Sequence, residues 1–178
     1  MLTLEPLRPD HAEALLAFER VNRAHFARTI PDRGDAYFAG FAARHAALLA
    51  EQAAGICRFH VIRDADGELV GRVNLVDLVA GSAELGYRIA ESATGRGIAT
   101  AAVAEVCRLA ATAYGLTGLT AATTVDNSAS RAVLARNGFR STAEILLDDR
   151  PALSFRRSLD DLRPPEWEVG RADFPLRT

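Results

Sequence analysis

The stretch Tyr87–Gly115 reads YRIAESATGRGIATAAVAEVCRLAATAYG. An extended segment gives way there to a long alanine-rich helix, and Gly95 and Gly97 flank Arg96 at the join. A helix start ordinarily carries a capping side chain. Two residues without side chains let something approach the backbone instead, although a flexible turn would also use glycine. The first N–H groups of a helix lack intrahelical partners, and the helix dipole favours anions. In TGRGIAT (Thr94–Thr100) successive amides, the Thr100 hydroxyl and the Arg96 charge meet at one helix start. That combination suits a pyrophosphate.

The familiar pyrophosphate fingerprints do not fit. G-x-G-x-x-G fails because Thr100 stands at the third glycine, and no G-K-[ST] follows for a P-loop. Coenzyme A is the commonest of the remaining diphosphate carriers.

Working outward, residues 3–8 read as a first strand ended by Pro6. Asp10 is placed to cap a helix over 10–24, and Asp35 opens a second one that runs to Gly55. From Ile56 the pattern alternates: ICRFHVIRD, ELVGRVNLVDLV and AELGYRIAE are three strands joined by the short turns ADG and AGS. After the Gly97–Tyr114 helix, LTAATTV is a strand and NSASRAVLARNG a short helix. FRSTAEILLDD and ALSFRRSL then form a hairpin that turns at Arg150-Pro151. The order β-α-α-β-β-β-α-β-α-β-β predicts a mixed α/β chain, its central sheet mostly antiparallel with a meander and with helices on both faces. One strand-helix-strand crossover supplies a single parallel pair. A doubly wound dinucleotide fold would repeat that unit.

The bulk numbers narrow the class. The chain has 178 residues, 49% hydrophobic and 25% charged, which suits one domain with a sizeable core. A net charge of −2 gives no push toward nucleic acid or anionic membrane. Cys57 and Cys107 have no metal-ligand spacing and read as two buried thiols. MLTLEPLRPD is not a basic region followed by an apolar run, and no apolar segment is long enough to span a bilayer, so the expected location is cytoplasmic. The domain is expected over 1–160, with 161–178 an irregular tail whose Trp167 and Phe174 are its only docking residues. The last hairpin and the tail leave a homodimer open.

Two segments in series carry a family likeness: AELGYRIAESATGRGIATAAVAEV (Ala83–Val106) and TVDNSASRAVLARNGF (Thr124–Phe139). Together they resemble the GNAT superfamily of acyl-CoA-dependent N-acyltransferases, most closely the ribosomal-protein N-terminal alanine acetyltransferases. The likeness runs from about Leu2 to Leu159. It implies a GNAT-like fold with a splayed parallel strand pair, acetyl-CoA as cosubstrate with no metal, and transfer of an acetyl group to a protein N-terminus or a small-molecule amine by direct attack in a ternary complex. Two positions depart from the pattern. Ser92 stands where the family usually has Arg or Gln, and Leu134 where many members place a tyrosine that protonates the departing thiolate.

The likeness also implies roles. Ile89 and Glu91, at the end of the fourth strand, pair by backbone with the pantetheine arm. Gly95, Arg96, Gly97, Ile98, Ala99 and Thr100 cradle the pyrophosphate. Asn127 bonds the pantetheine or serves as an ordinary helix cap. Ser130, one turn on, lies near the sulfur or is a solvated serine, and Arg131 meets the 3′-phosphate or solvent. The amine must lose a proton before attack. Glu84 is the best base, its alternative being an exposed strand glutamate; Asn74, Asp77 and Tyr87 are weaker pocket residues. The acceptor pocket is expected from the N-terminal helices, with His25, Phe26, Arg28, Tyr37 and Phe41 as lining or core. A catalytically silent acyl-CoA-binding or regulatory module is the competing reading, and a nicotinamide oxidoreductase is disfavoured by the missing third glycine.

Overall fold

The computed structural model describes residues 2–163; the expected docking residues Trp167 and Phe174 lie outside them. Seven strands form one sheet: β1 (Thr3–Pro6), β2 (Arg58–Arg63), β3 (Leu69–Val79), β4 (Ser82–Ile89), β5 (Gly118–Thr124), β6 (Arg140–Leu147) and β7 (Arg150–Ser158). Their order across the sheet is β1-β2-β3-β4-β5-β7-β6. Six helices accompany them: α1 (Ala12–Val21), α2 (Arg23–Phe26), α3 (Asp35–Ala39), α4 (Phe41–Ala53), α5 (Ile98–Thr112) and α6 (Ser128–Arg136). The sheet is antiparallel except at β4 and β5, which run parallel on either side of the α5 crossover.

That parallel pair is short. β4 and β5 register only at Ser82–Gly118, Ala83–Leu119 and Glu84–Thr120. Beyond Glu84, β4 stays on β3 as far as Ile89–Gly71, and β5 stays on β7 as far as Thr124–Ala152. A gap therefore opens inside the sheet, edged by backbone groups that have left their ladder.

Strand alternation divides the two faces. His60, Val73, Leu75, Ala83, Leu85 and Ile89 point toward α5, whose Ala102, Val103, Val106 and Ala110 are wholly buried against them. Each buried valine contributes about 1.5–3 kcal/mol. Phe59 and Val61 point the other way and pack with Leu15 of α1 and Phe41 of α4. Arg72 of β3 and Arg88 of β4 share that second face, and both reach Glu19 of α1, at 3.0 and 2.9 Å. Glu19 is 2% exposed, so one carboxylate is held between two largely buried guanidiniums.

Several local features differ from the sequence expectation. The first helix breaks at Asn22, whose side chain donates to the Phe18 carbonyl and accepts from the Glu91 N–H. The second breaks at Gly40 between α3 and α4. Asp10 caps nothing; it sits in a 3₁₀ turn, Pro9–His11, with its carboxylate bound by Arg8. The final hairpin turns at Asp148-Asp149, not Arg150-Pro151. Both aspartates have positive φ (47° and 59°), which a two-residue turn matching the strand twist requires. After β7, Asp160–Leu162 form a 3₁₀ turn, and Leu162 packs on the main core. Cys57 and Cys107 are buried as expected, and burial pushes each thiol up to about 11. No helix among the described residues is long and apolar enough to cross a membrane.

Gly71 shows how tightly β3 and β4 are joined. A Cβ there would lie 2.7 Å from the Arg88 carbonyl oxygen and 2.8 Å from Ile89 Cδ1. Overpacking of this kind costs about 1–3 kcal/mol, so Gly71→Ala lowers the unfolding free energy by that amount, read in denaturant melts as a lower midpoint at an unchanged slope.

The pH dependence of stability follows from two buried imidazoles. His60 and His11 are each 1% exposed. Burial pushes the pKa of His60 down, and burial followed by the Arg8 charge does the same at His11. The fold prefers both rings neutral, so the unfolded chain takes up protons first as pH falls. Stability is complete above the unfolded value near 6.5 and falls below it, by at most about 1.4 kcal/mol per pH unit per ring. Chemical denaturation between pH 7.5 and 5.5 shows this slope, and His60→Gln reduces it.

Candidate functional site

The gap between β4 and β5 is closed at the Ser82–Glu84 end and opens toward the end of β4 from which the chain passes to α5. A 3₁₀ turn, Glu91–Ala93, leads out of β4, and Thr94 Oγ1 donates to the Glu91 carbonyl at 2.7 Å. Gly95 and Gly97 then adopt left-handed backbone, with φ of +74° and +75°. Gly97 is the cap residue and no side chain caps the helix. The helix begins its own bonding at Ala101 N–H to Gly97 O, 3.0 Å, which leaves the amides of Ile98, Ala99 and Thr100 without helical acceptors. Ile98 is buried and anchors the turn, Ala99 and Thr100 are half-buried, and Gly95, Arg96 and Gly97 are exposed. An added Cβ at Gly95 or Gly97 would meet nothing within 4 Å. Backbone conformation, not packing, demands these glycines, and the space in front of the amides is open.

Asn127 caps α6, its carboxamide oxygen accepting from Ser130 N–H at 3.1 Å. The cap uses the oxygen and leaves the NH₂ available as a donor. Ser130 Oγ accepts from the phenol of Tyr87 at 3.1 Å, a bond that crosses from β4 to α6 on the α5 face. Burial pushes the Tyr87 phenol up and keeps it protonated. Leu134, on the same side of α6, is 2% exposed and belongs to the core. The Arg131 guanidinium donates to the Val125 carbonyl at 3.0 Å, so one of its donors is turned back to the end of β5.

Glu84 occupies the last register position before the gap and is exposed. It lies opposite Val76, and Gly86 lies opposite Asn74. Glu84, Gly86 and Arg88 alternate onto the α1/α4 face, whereas Tyr87 and Ile89 alternate onto the α5 face. The two sides of the gap thus carry different groups: a carboxylate on one, a hydroxyl pair on the other.

The remaining expected residues are scattered. Ile89 ends β4 with its side chain buried, as placed. Glu91 does not lie on the strand: its N–H is taken by Asn22 Oδ1 at 2.9 Å and its carbonyl by Thr94. Its backbone N–H is therefore already engaged within the chain. Its carboxylate instead pairs with Arg28 at 2.8 Å, with His25 Nδ1 at 3.8 Å. Phe26 is buried in the main core beneath the Arg88 guanidinium, and Phe41 is buried against Leu15 of α1. Tyr37 lines, with Arg72, Asn74 and His45, a cavity between α1, α4 and the sheet. Asp77 is exposed in a β-bulge at φ 52°, away from the gap. Ser92, exposed in the 3₁₀ turn, contributes no cap to α5.

Asn22, Arg72 and Glu19 carry no local signal, because they act across separations of up to 69 residues. Among the described residues no cluster of His, Cys, Asp or Glu could hold a metal ion.

Comparison with known proteins agrees with this geometry. Residues 1–140 match the family model described as acetyltransferase (GNAT) domain. The fold is similar to a ribosomal-protein-S5-alanine acetyltransferase from Vibrio fischeri, with a TM-score of 0.82 and 22% identity over 92% of this chain and 96% of that one. It is also similar to Mycobacterium smegmatis RimJ in complex with CoA-disulfide, with a TM-score of 0.81 and 29% identity over 96% of this chain and 90% of that one. A spermidine N-acetyltransferase from Vibrio cholerae, in complex with CoA and spermine, follows at a TM-score of 0.76 and 18% identity over 90% of this chain and 97% of that one. No curated protein matches the sequence. An uncapped α5 start, a gap between two parallel strands and a family match over most of the length converge: the chain belongs to the GNAT acetyltransferase family.

Proposed function

We propose that the chain transfers an acetyl group from acetyl-CoA to a primary amine, either a protein N-terminus or a small-molecule amine, by direct attack within a ternary complex. The observation that carries this reading is the gap that opens beside Glu84 and leads to the uncapped start of α5. Bound acetyl-CoA supplies the thioester carbonyl and the thiolate leaving group.

The chain's own residues divide the remaining work. The amides of residues 95–100, with the Arg96 charge, hold the pyrophosphate. The unpaired edge of β4 up to Ile89 orients the pantetheine arm, and the Asn127 NH₂ adds a donor from α6. Glu84 takes the proton that the amine sheds, directly or through water. Ser130 serves the sulfur. Its oxygen already accepts from Tyr87, so its own hydrogen is left to donate outward. Tyr87 acts through Ser130 and is a positioning residue. This pair stands in for the tyrosine that Leu134 replaces.

The reading is tested by mixing the protein with acetyl-CoA and an amine library and following free thiol. Tight acetyl-CoA binding with no thiol release for any amine would sink it and leave the silent acyl-CoA-binding module. With an active amine in hand, Glu84→Gln and Ser130→Ala each lower kcat by about 100-fold or more. Tyr87→Phe lowers kcat less than Ser130→Ala, because the serine hydroxyl survives. Gly97→Ala forces an L-residue into left-handed backbone at a cost of about 1–2 kcal/mol. Calorimetry then shows weaker coenzyme A binding together with a lower melting temperature.

A further inference from the structure

We propose that Gly86 is the aperture through which the acceptor amine reaches the thioester, so that its missing side chain sets acceptor specificity. The proposal rests on the acetyl-transfer reading above.

Three glycines lie within strands, and two have evident structural reasons. Gly71 has no room for a Cβ, which would sit 2.7 Å from the Arg88 carbonyl oxygen. Gly118, at the start of β5, would place one 3.3 Å from the Arg157 carbonyl oxygen. Gly86 differs from both. An added Cβ would meet nothing within 4 Å, and its φ is not in the left-handed region. Glycine in a strand interior weakens the strand, and it recurs where a ligand approaches the backbone closely. Neither the conformation nor the packing of this protein asks for glycine at 86.

Its location supplies the reason. Gly86 lies two residues past Glu84, the last residue of β4 to register with β5, so one side of its backbone borders the gap. Strand alternation turns its vacant side-chain direction to the α1/α4 face, between Glu84 and Arg88 and opposite Asn74. Tyr87 and Ser130 occupy the opposite face. An amine that crosses at Gly86 therefore passes Glu84 on its way in, and the sulfur departs toward Ser130. Asn74, opposite Gly86, also lines with Arg72, Tyr37 and His45 the small cavity beside the sheet, so the acceptor arrives on a polar face.

The test uses the full chain, acetyl-CoA, and two probes assayed separately: an alanine-initiated hexapeptide amide and spermidine. Gly86→Ala and Gly86→Val are measured for melting temperature, coenzyme A affinity by calorimetry and thiol release. The expected result is an equal or higher melting temperature, coenzyme A affinity within about twofold, and kcat/KM for the accepted probe lowered by about 10-fold in Gly86→Ala and about 100-fold in Gly86→Val. Slow hydrolysis of acetyl-CoA without any amine falls in the same order, because water uses the same opening. Wild-type kcat/KM in both variants overturns the aperture, as does coenzyme A affinity that falls in step with activity. A wild-type protein that binds coenzyme A but releases thiol with neither probe, nor any amine of the library, nor water overturns the acetyl-transfer reading, and the aperture with it.

Discussion

Three register pairs, ending at Glu84–Thr120, hold β4 to β5, and the rest of the site depends on the ladder stopping there. Buried backbone donors and acceptors are almost always paired, so a ladder that ends early inside a sheet must be compensated elsewhere. Here each strand keeps its outer partner, β3 for β4 and β7 for β5, and only the inner edges are released. Two helix N-termini stand beside that opening. α5 presents uncapped amides, and α6 presents a capped turn that carries Ser130. The sheet thus provides a slot, and the helix ends give it a polar rim.

Alternation along β4 then separates the carboxylate from the hydroxyl pair. Successive side chains point to opposite faces, so Glu84 and Gly86 share one face while Tyr87 takes the other. The α5 side is packed with alanine and valine, which brings helix and sheet close and fixes Tyr87 against α6. The α1/α4 side is more polar, with Arg72 and Arg88 drawn onto Glu19. Leaving two buried guanidiniums without their carboxylate would be costly. This cluster therefore fixes α1 against β3 and β4 and defines one wall of the cavity next to Asn74.

Much of this was legible in the sequence. The glycines at 95 and 97 marked the helix start because a positive φ admits few other residues, and the alternation from Ile56 onward marked the meander. The single strand-helix-strand crossover marked the parallel pair. Harder to read were features that depend on distant partners. Asn22 looked like one more helical residue, yet its carboxamide ends α1 and takes the Glu91 amide, which engages the backbone donor of Glu91 within the chain. Arg131 and Ser130 are neighbours on α6 with similar local signals. Only tertiary placement sends one back to Val125 and the other to Tyr87. The turn at Asp148-Asp149 was overlooked in favour of a proline, although aspartate tolerates positive φ well.

The gap is also an edge, and edges invite other chains. The outer borders of this sheet are blunted: β1 has four residues and ends at Pro6, and β6 carries a bulge between Ser141 and Ala143. The inner border has neither device, yet it is guarded by its width. A pair of strands that diverge from a shared root leaves a wedge, and a folded protein's strand brings side chains and neighbours that a wedge excludes. A thin, amide-bearing thread enters without them. The geometry that leaves hydrogen bonds unmade within the sheet is the same geometry that keeps aggregation partners from making them.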